Sequence, residues 1–164
     1  MSMAMATRAT RALDAAGIAY RLHPYDYDAD AQASAGGKGL QAAAALGVPP
    51  SRVLKTLMAW VDTRAVCVVL PSDRQLQPKA LAAAAGGKAA RMMEVPEAER
   101  RTGYRVGGIS PFGQQRPAPV WFEQDAMAEA SVYINAGQRG LLLELAPADA
   151  VRVLQAQAAA ISRT

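Results

Sequence analysis

Lys55 stands in the run Val53-Leu54-Lys55-Thr56-Leu57-Met58, whose apolar and β-branched residues read as a β-strand. Strand alternation then puts Lys55 on one face with Val53, Leu57 and Ala59. An ammonium on an apolar face must reach water along its stem, pair with an anion, or serve a site. Beside a cleft it is a fixed positive charge, suited to holding a phosphate or polarising a carbonyl. An edge-strand lysine that simply reaches solvent is the plain alternative, and the pattern leaves both open.

A second candidate is the segment Gly103-Tyr104-Arg105-Val106-Gly107-Gly108-Ile109-Ser110-Pro111-Phe112-Gly113. Adjacent glycines let backbone approach a ligand closely and leave amide N–H groups free to donate. Pro111 stiffens the loop, so such donors can be preorganised for a substrate carbonyl or a developing oxyanion. A purely structural turn would need the same glycines. A third segment, Asn135-Ala136-Gly137-Gln138-Arg139-Gly140, is explained equally by a hairpin turn or by polar side chains facing a substrate. Tyr25, followed by Asp26, Tyr27 and Asp28, closes a strand and can either line a pocket wall or pack.

Several familiar chemistries lack their residues. The chain has one histidine, His23, and one cysteine, Cys67. His23 precedes Pro24 at a strand end, where a hydrogen-bonded structural role is expected. Cys67 lies in Ala65-Val66-Cys67-Val68-Val69 and reads as a small buried hydrophobe. A Ser-His-Asp or Cys-His set would have to use these two, and a zinc site lacks its usual ligands. Neither a phosphate-binding Gly-x-x-x-x-Gly-Lys-Ser/Thr loop nor a dinucleotide-binding Gly-x-Gly-x-x-Gly is present.

The elements that must position the candidates follow from periodicity and punctuation. A short amphipathic helix is expected over 4–16, a strand over 18–25, and a long polar loop over 26–39. A helix over 40–46 ending at Gly47 precedes a hairpin of 53–61 and 65–70, turned at Asp62-Thr63-Arg64. A helix follows over 78–85, then a short strand over 90–94 and a helical turn over 96–101. Strands are expected at 120–122, 131–135 and 141–145, and a C-terminal helix at 147–161. Hairpin-length connections outnumber crossover helices. The expectation is one compact α+β domain over 1–164 whose mixed, strongly curved, barrel-like sheet is flanked by helices.

The 164 residues carry a formal charge of +4, a mild excess that suits a polyanionic partner but equally plain solubility. A single cysteine excludes an internal disulfide framework and suggests a reducing compartment. No apolar stretch approaches the roughly 20 residues that span a bilayer. The first ten residues lack signal-peptide blocks, so no membrane partner and a cytoplasmic location are expected.

Taken in order, Leu22-His23-Pro24-Tyr25, Lys55-Thr56-Leu57, Thr102-Gly103-Tyr104, Val106 through Pro111, Gly137-Gln138-Arg139-Gly140 and Glu144-Leu145-Ala146-Pro147 make a recognisable set. From about residue 6 to 155 the chain resembles the bacterial Cys-tRNA(Pro) deacylases. These are the YbaK/EbsC-like branch of the superfamily related to the editing domain of prolyl-tRNA synthetase. The resemblance puts Lys55 on the family's essential lysine and Gly107 at the head of its Gly-x-x-x-Pro loop, which makes these two the implied catalytic residues. It implies substrate binding by Tyr25, Gly108, Ile109, Ser110, Pro111, Asn135 and Gly137. It also implies a reaction without cofactor or metal, in which the cysteine thiol of the aminoacyl group attacks its own ester and leaves as a thiolactone. The implied partners are the acceptor end of tRNA(Pro) and prolyl-tRNA synthetase. A relative that removes alanine or another small residue with water, and a non-catalytic adaptor binding tRNA or synthetase, are the alternatives. Two departures stand out: Asn135 where the family commonly has serine, and a longer segment at 29–39.

Overall fold

Prolines open and glycines close most of the described helices of this chain. The computed structural model describes residues 6–28 and 38–164. Among them are five α-helices: α1 Arg8–Ala15, α2 Lys38–Leu46, α3 Pro78–Ala84, α4 Val95–Thr102 and α5 Pro147–Leu154. Helices α3 to α5 place a proline in their first two positions, where its missing N–H forfeits no helical bond. Helix α1 starts later than expected because Thr7 caps it reciprocally with Thr10. Residues 4–5 of that expected helix, and 29–37 of the long loop, lie outside the described residues. Lys38 and Gly39, expected in the loop, begin α2 instead.

The described strands are β1 Arg21–Pro24, β2 Leu54–Val61, β3 Arg64–Pro71, β4 Gln75–Leu76, β5 Ala90–Met92, β6 Val120–Glu123, β7 Val132–Gln138, β8 Leu141–Leu145, β9 Gln157–Ala159 and β10 Ser162–Arg163. They form a five-stranded sheet in the order β5-β2-β3-β6-β9, a three-stranded sheet β1-β8-β7, and a β10-β4 pair. The expected β2–β3 hairpin is present and antiparallel, with Lys55 opposite Leu70. Strand β6 runs parallel to both β3 and β9, so the large sheet is mixed.

The α+β class holds, but the barrel-like sheet does not. None of these sheets closes on itself, and the large and the three-stranded sheet meet through one isolated parallel bridge, Val53 to Tyr133. Pro49-Pro50 explain why that ladder stops there. Proline offers no N–H, and the next amides are spent in a 3₁₀ turn, Arg52 on Pro49 and Val53 on Pro50.

Leu54, Met58, Cys67, Val69 and Phe122 of the large sheet pack against Val132, Ile134, Leu141 and Leu143 of the small one. The opposite face of the large sheet, Ala59, Val61, Val66, Val68 and Leu70, is covered by Leu81 of α3 and by Ile161. The C-terminal segment departs from expectation. Helix α5 ends at Leu154, where Gln155 turns left-handed at φ +52°, and the alanine-rich tail forms β9 and β10. Local helix propensity loses to an open sheet edge beside β6 and to the burial of Ile161.

Candidate active site

Strand β2 delivers Lys55 to a cleft of about 250 Å³ at the seam between the two larger sheets. Tyr25, Lys55, Gly107, Ile109 and Asn135 line it together, with Val53, Thr56, Ser72 and Leu142 among the other wall residues. The cleft thus gathers both implied catalytic residues from segments 52 positions apart in sequence. Helix α2 reaches the same cleft through Gly39 and Ala42. A Cβ on Gly39 would sit 2.5 Å from the Ser72 Cβ, so glycine is what lets α2 start so close.

Lys55 is half-buried and makes no hydrogen bond or ion pair with any described residue. Burial pulls its pKa below the ordinary lysine value, and the charge of Asp73 opposes that pull. Its alternation partners Leu57 and Ala59 belong to the same apolar face, as expected. The result is a cation held at an apolar wall with the charge of Asp73 near it but no direct ion pair among the described residues. Beside it the Thr56 hydroxyl is also buried and unbonded. Tyr25 is anchored by its own amide, which donates to the Gly140 carbonyl at 2.9 Å, and burial raises its phenol pKa above the usual 10.0.

Asn135 sits where β7 and β8 lose register, at a bulge spanning Asn135 to Gln138. Its Oδ1 accepts from the Gly137 amide at 2.7 Å and the Gln138 amide at 3.2 Å, which caps the bulge. Its Nδ2 donates to the Gly107 carbonyl at 3.0 Å. One side chain therefore ties the glycine loop to the bulge. The amides of Gly107 and Ile109 donate to no described residue and remain available on the cleft wall.

The other implied binding residues lie elsewhere. Gly108 and Gly137 line a second hollow, of about 350 Å³, together with Gly103, Tyr104, Arg105, Gln138 and Arg139. Both glycines serve close packing. A Cβ on Gly108 would meet the Arg139 nitrogen at 2.9 Å, and one on Gly137 the Tyr104 ring at 2.7 Å. Ser110 is fully buried and its Oγ accepts from the Phe112 amide at 3.2 Å. Pro111 is buried with it. These two support the loop from behind.

The lone histidine and lone cysteine sit outside the cleft. His23 Nε2 contacts Glu144 Oε1 at 2.9 Å, and its ring stands edge-on to Tyr133 at 5.2 Å. Cys67 is fully buried, and burial pushes its thiol pKa up to about 12, which leaves no useful thiolate. Sequence reasoning missed Thr56, Ser72 and Val106 as wall residues. Alternation puts Thr56 on the face opposite Lys55, so no periodic signal marks it.

The profile of the aminoacyl-tRNA editing domain family matches residues 38–153, a span that contains every residue lining the cleft except Tyr25. The chain belongs to that family. The editing domain is 34% identical over 121 residues to EbsC of Enterococcus faecalis, covering 73% of this chain and 74% of EbsC. EbsC bears the provisional name Cys-tRNA(Pro)/Cys-tRNA(Cys) deacylase. The editing domain is also 30% identical over 108 residues to YwhH of Bacillus subtilis, across 65% of this chain and 68% of that one. The crystal structure of hypothetical protein APE2540 superposes with a TM-score of 0.83 at 26% identity, over 96% of this chain and all of that one. A structure provisionally described as a trans-editing enzyme for prolyl-tRNA synthetase gives 0.81 at 22% identity, over 96% of each chain, a likeness of fold alone.

Proposed function

We propose that this editing domain is a trans-acting deacylase that removes cysteine mischarged onto tRNA(Pro). The carrying observation is that one cleft pairs a half-buried Lys55, which makes no direct ion pair, with the amides of Gly107 and Ile109, which donate to no described residue. That is a site for an ester carbonyl and an anion that, among the described residues, uses neither His23 nor Cys67 as general base, since both are committed elsewhere. The name of EbsC supports the same substrate.

The substrate supplies what the site lacks. Its thiolate sulfur attacks its own ester carbonyl carbon, forming the C–S bond of a four-membered thiolactone through a tetrahedral oxyanion. The C–O bond to the ribose then breaks, and the proton lost from the thiol ends on the ribose oxygen, leaving tRNA with a free hydroxyl. The amides of Gly107 and Ile109 stabilise the oxyanion, and Lys55 holds the thiolate or the terminal phosphate of the tRNA. The protein's part is to fold the aminoacyl group into the attacking conformer. Every reacting atom comes from the substrate, so no cofactor is needed, and the reaction belongs with translation in the cytoplasm.

The deciding measurement compares cleavage of Cys-, Ser- and Ala-tRNA(Pro) at equal concentration. A pocket cannot separate near-isosteric cysteine and serine strongly by binding. A thiol ionises near pH 8.5 and a hydroxyl far higher, so chemistry must separate them. Cysteine should be released far faster than serine or alanine. Comparable rates for all three would sink self-cyclisation and favour a water-using deacylase, and no cleavage of any would favour a binding adaptor.

A further inference from the structure

The turn that presents Gly107 is one of two β-turn types related by a flip of the central peptide, and a side chain outside the cleft holds that peptide's carbonyl. The Gly108 amide donates to the Arg105 carbonyl at 2.7 Å, closing a four-residue β-turn. Gly107, its third residue, has φ +89°, and Val106 is not in the positive-φ region, which makes the turn type II. Types I and II differ by a half-rotation of the central peptide, here Val106–Gly107. In a trans peptide the carbonyl and the N–H point in opposite directions. The direction of the Val106 carbonyl therefore fixes where the Gly107 N–H points.

Arg139 holds that carbonyl. Its Nε donates to Val106 O at 2.9 Å from the second hollow, and Arg139 is not among the residues lining the cleft. The Gly107 N–H is turned to the opposite side, and Gly107 lines the cleft. The guanidinium is itself fixed over the Tyr27 ring at 5.4 Å. Asn135 holds the following carbonyl, that of Gly107, so the peptides on both sides of Gly107 are pinned from the β7–β8 segment.

We propose that Arg139 is a positioning residue for deacylation: its bond to the Val106 carbonyl locks the turn so that the Gly107 N–H points into the cleft. This rests on the reading of the cleft as a deacylase site. The competing role for an exposed arginine is a direct phosphate contact, which acts on tRNA binding instead. The two roles split differently between kcat and KM.

The experiment takes Arg139→Ala, Arg139→Lys and, as a charge control, Arg116→Ala, which removes an exposed arginine away from both cavities. With Cys-tRNA(Pro), Arg139→Ala should lower kcat roughly 10- to 100-fold, somewhat less than outright loss of an oxyanion donor, with KM changed less than about threefold. Arg139→Lys, whose ammonium can still donate to a carbonyl, should recover part of that rate, and Arg116→Ala should match wild type. A raised KM with unchanged kcat, or an equal loss in Arg116→Ala, overturns the proposal in favour of phosphate binding. A second readout needs no substrate: in the tRNA-free protein, Arg139→Ala should move the carbonyl carbon resonance of Val106 and the amide resonance of Gly107. Unmoved resonances overturn the proposal. A wild type that deacylates no charged tRNA refutes the function, and the resonances still decide whether Arg139 sets the peptide.

Discussion

The charge of Lys55 works against the stability of its own strand. Burial disfavours its charged form, so the folded chain binds that proton less tightly than the unfolded chain does. The sign is unambiguous. The charge destabilises fully below the lowered folded pKa, and the handicap fades as pH rises from that value to the lysine's usual 10.5, above which it is gone. Lys55→Met keeps the length and apolar stem while removing the charge. At neutral pH it should melt at or above the wild-type temperature while losing roughly 100-fold or more in deacylation rate. Thermal melts beside single-turnover cleavage check both halves. A variant that melts lower, or one that keeps its rate, would return Lys55 to the role of an ordinary strand lysine.

At the scale of elements, the strand β8 glutamate explains what the lone histidine does. Glu144 accepts from Ser131 Oγ at 2.5 Å, contacts His23 at 2.9 Å and lies 3.6 Å from Arg52, whose guanidinium stacks on Tyr133 at 5.3 Å. The Ser131 hydroxyl is the main influence holding its carboxyl below the usual 4.5; burial opposes it, and His23 and Arg52 reinforce it. A depressed carboxylate pKa means stability that is full above pH 4.5 and lost as pH falls through the folded value. Glu144→Gln should therefore cost about 1–2 kcal/mol near pH 7. The gap to wild type should narrow near pH 3. Urea unfolding at the two pH values decides it, and an equal loss at both would assign the cluster to hydrogen bonding rather than charge.

Elements also mark how far the sequence could be read. The β2–β3 hairpin, the proline-started helices and the face of Lys55 were legible because alternation and punctuation are local signals. The meeting of Tyr25, Lys55, Gly107, Ile109 and Asn135 was legible only through family resemblance, since no local pattern brings residues 25, 55 and 107 to one cleft. Gly108, Ser110, Pro111 and Gly137 belong to the same motifs yet do not line it. Their motifs encode tight packing of loop against bulge as much as contact with a ligand. The tail was illegible for a different reason. Gln155-Ala156-Gln157-Ala158-Ala159-Ala160 favours helix locally, and only the open edge of β6, assembled from distant chain, turns it into a strand.

For the whole molecule, that tail closes the layer of core between the large sheet and α3. Ile161 is fully buried among Val61, Val68, Leu70 and Leu81. The Ile161 amide and the Ser162 hydroxyl both donate to Glu123 Oε1, at 3.0 and 2.6 Å. Glu123 is 1% exposed, so losing these donors would leave its Oε1 buried and unsatisfied, with only Oε2 still held by the Asp125 amide and Arg74, on top of the lost apolar contacts. Ile161→Ala removes the side chain and leaves the donors, which isolates the packing contribution. Truncation of a fully buried isoleucine costs about 2–5 kcal/mol. None of these residues lines the cleft, so the folded fraction should deacylate at the wild-type rate. If the tail is integral to the large sheet, urea should unfold the variant in one transition, shifted to lower concentration with unchanged slope. A first transition that releases the tail while deacylation persists would instead make β9 and β10 a separable clasp on an independently stable domain.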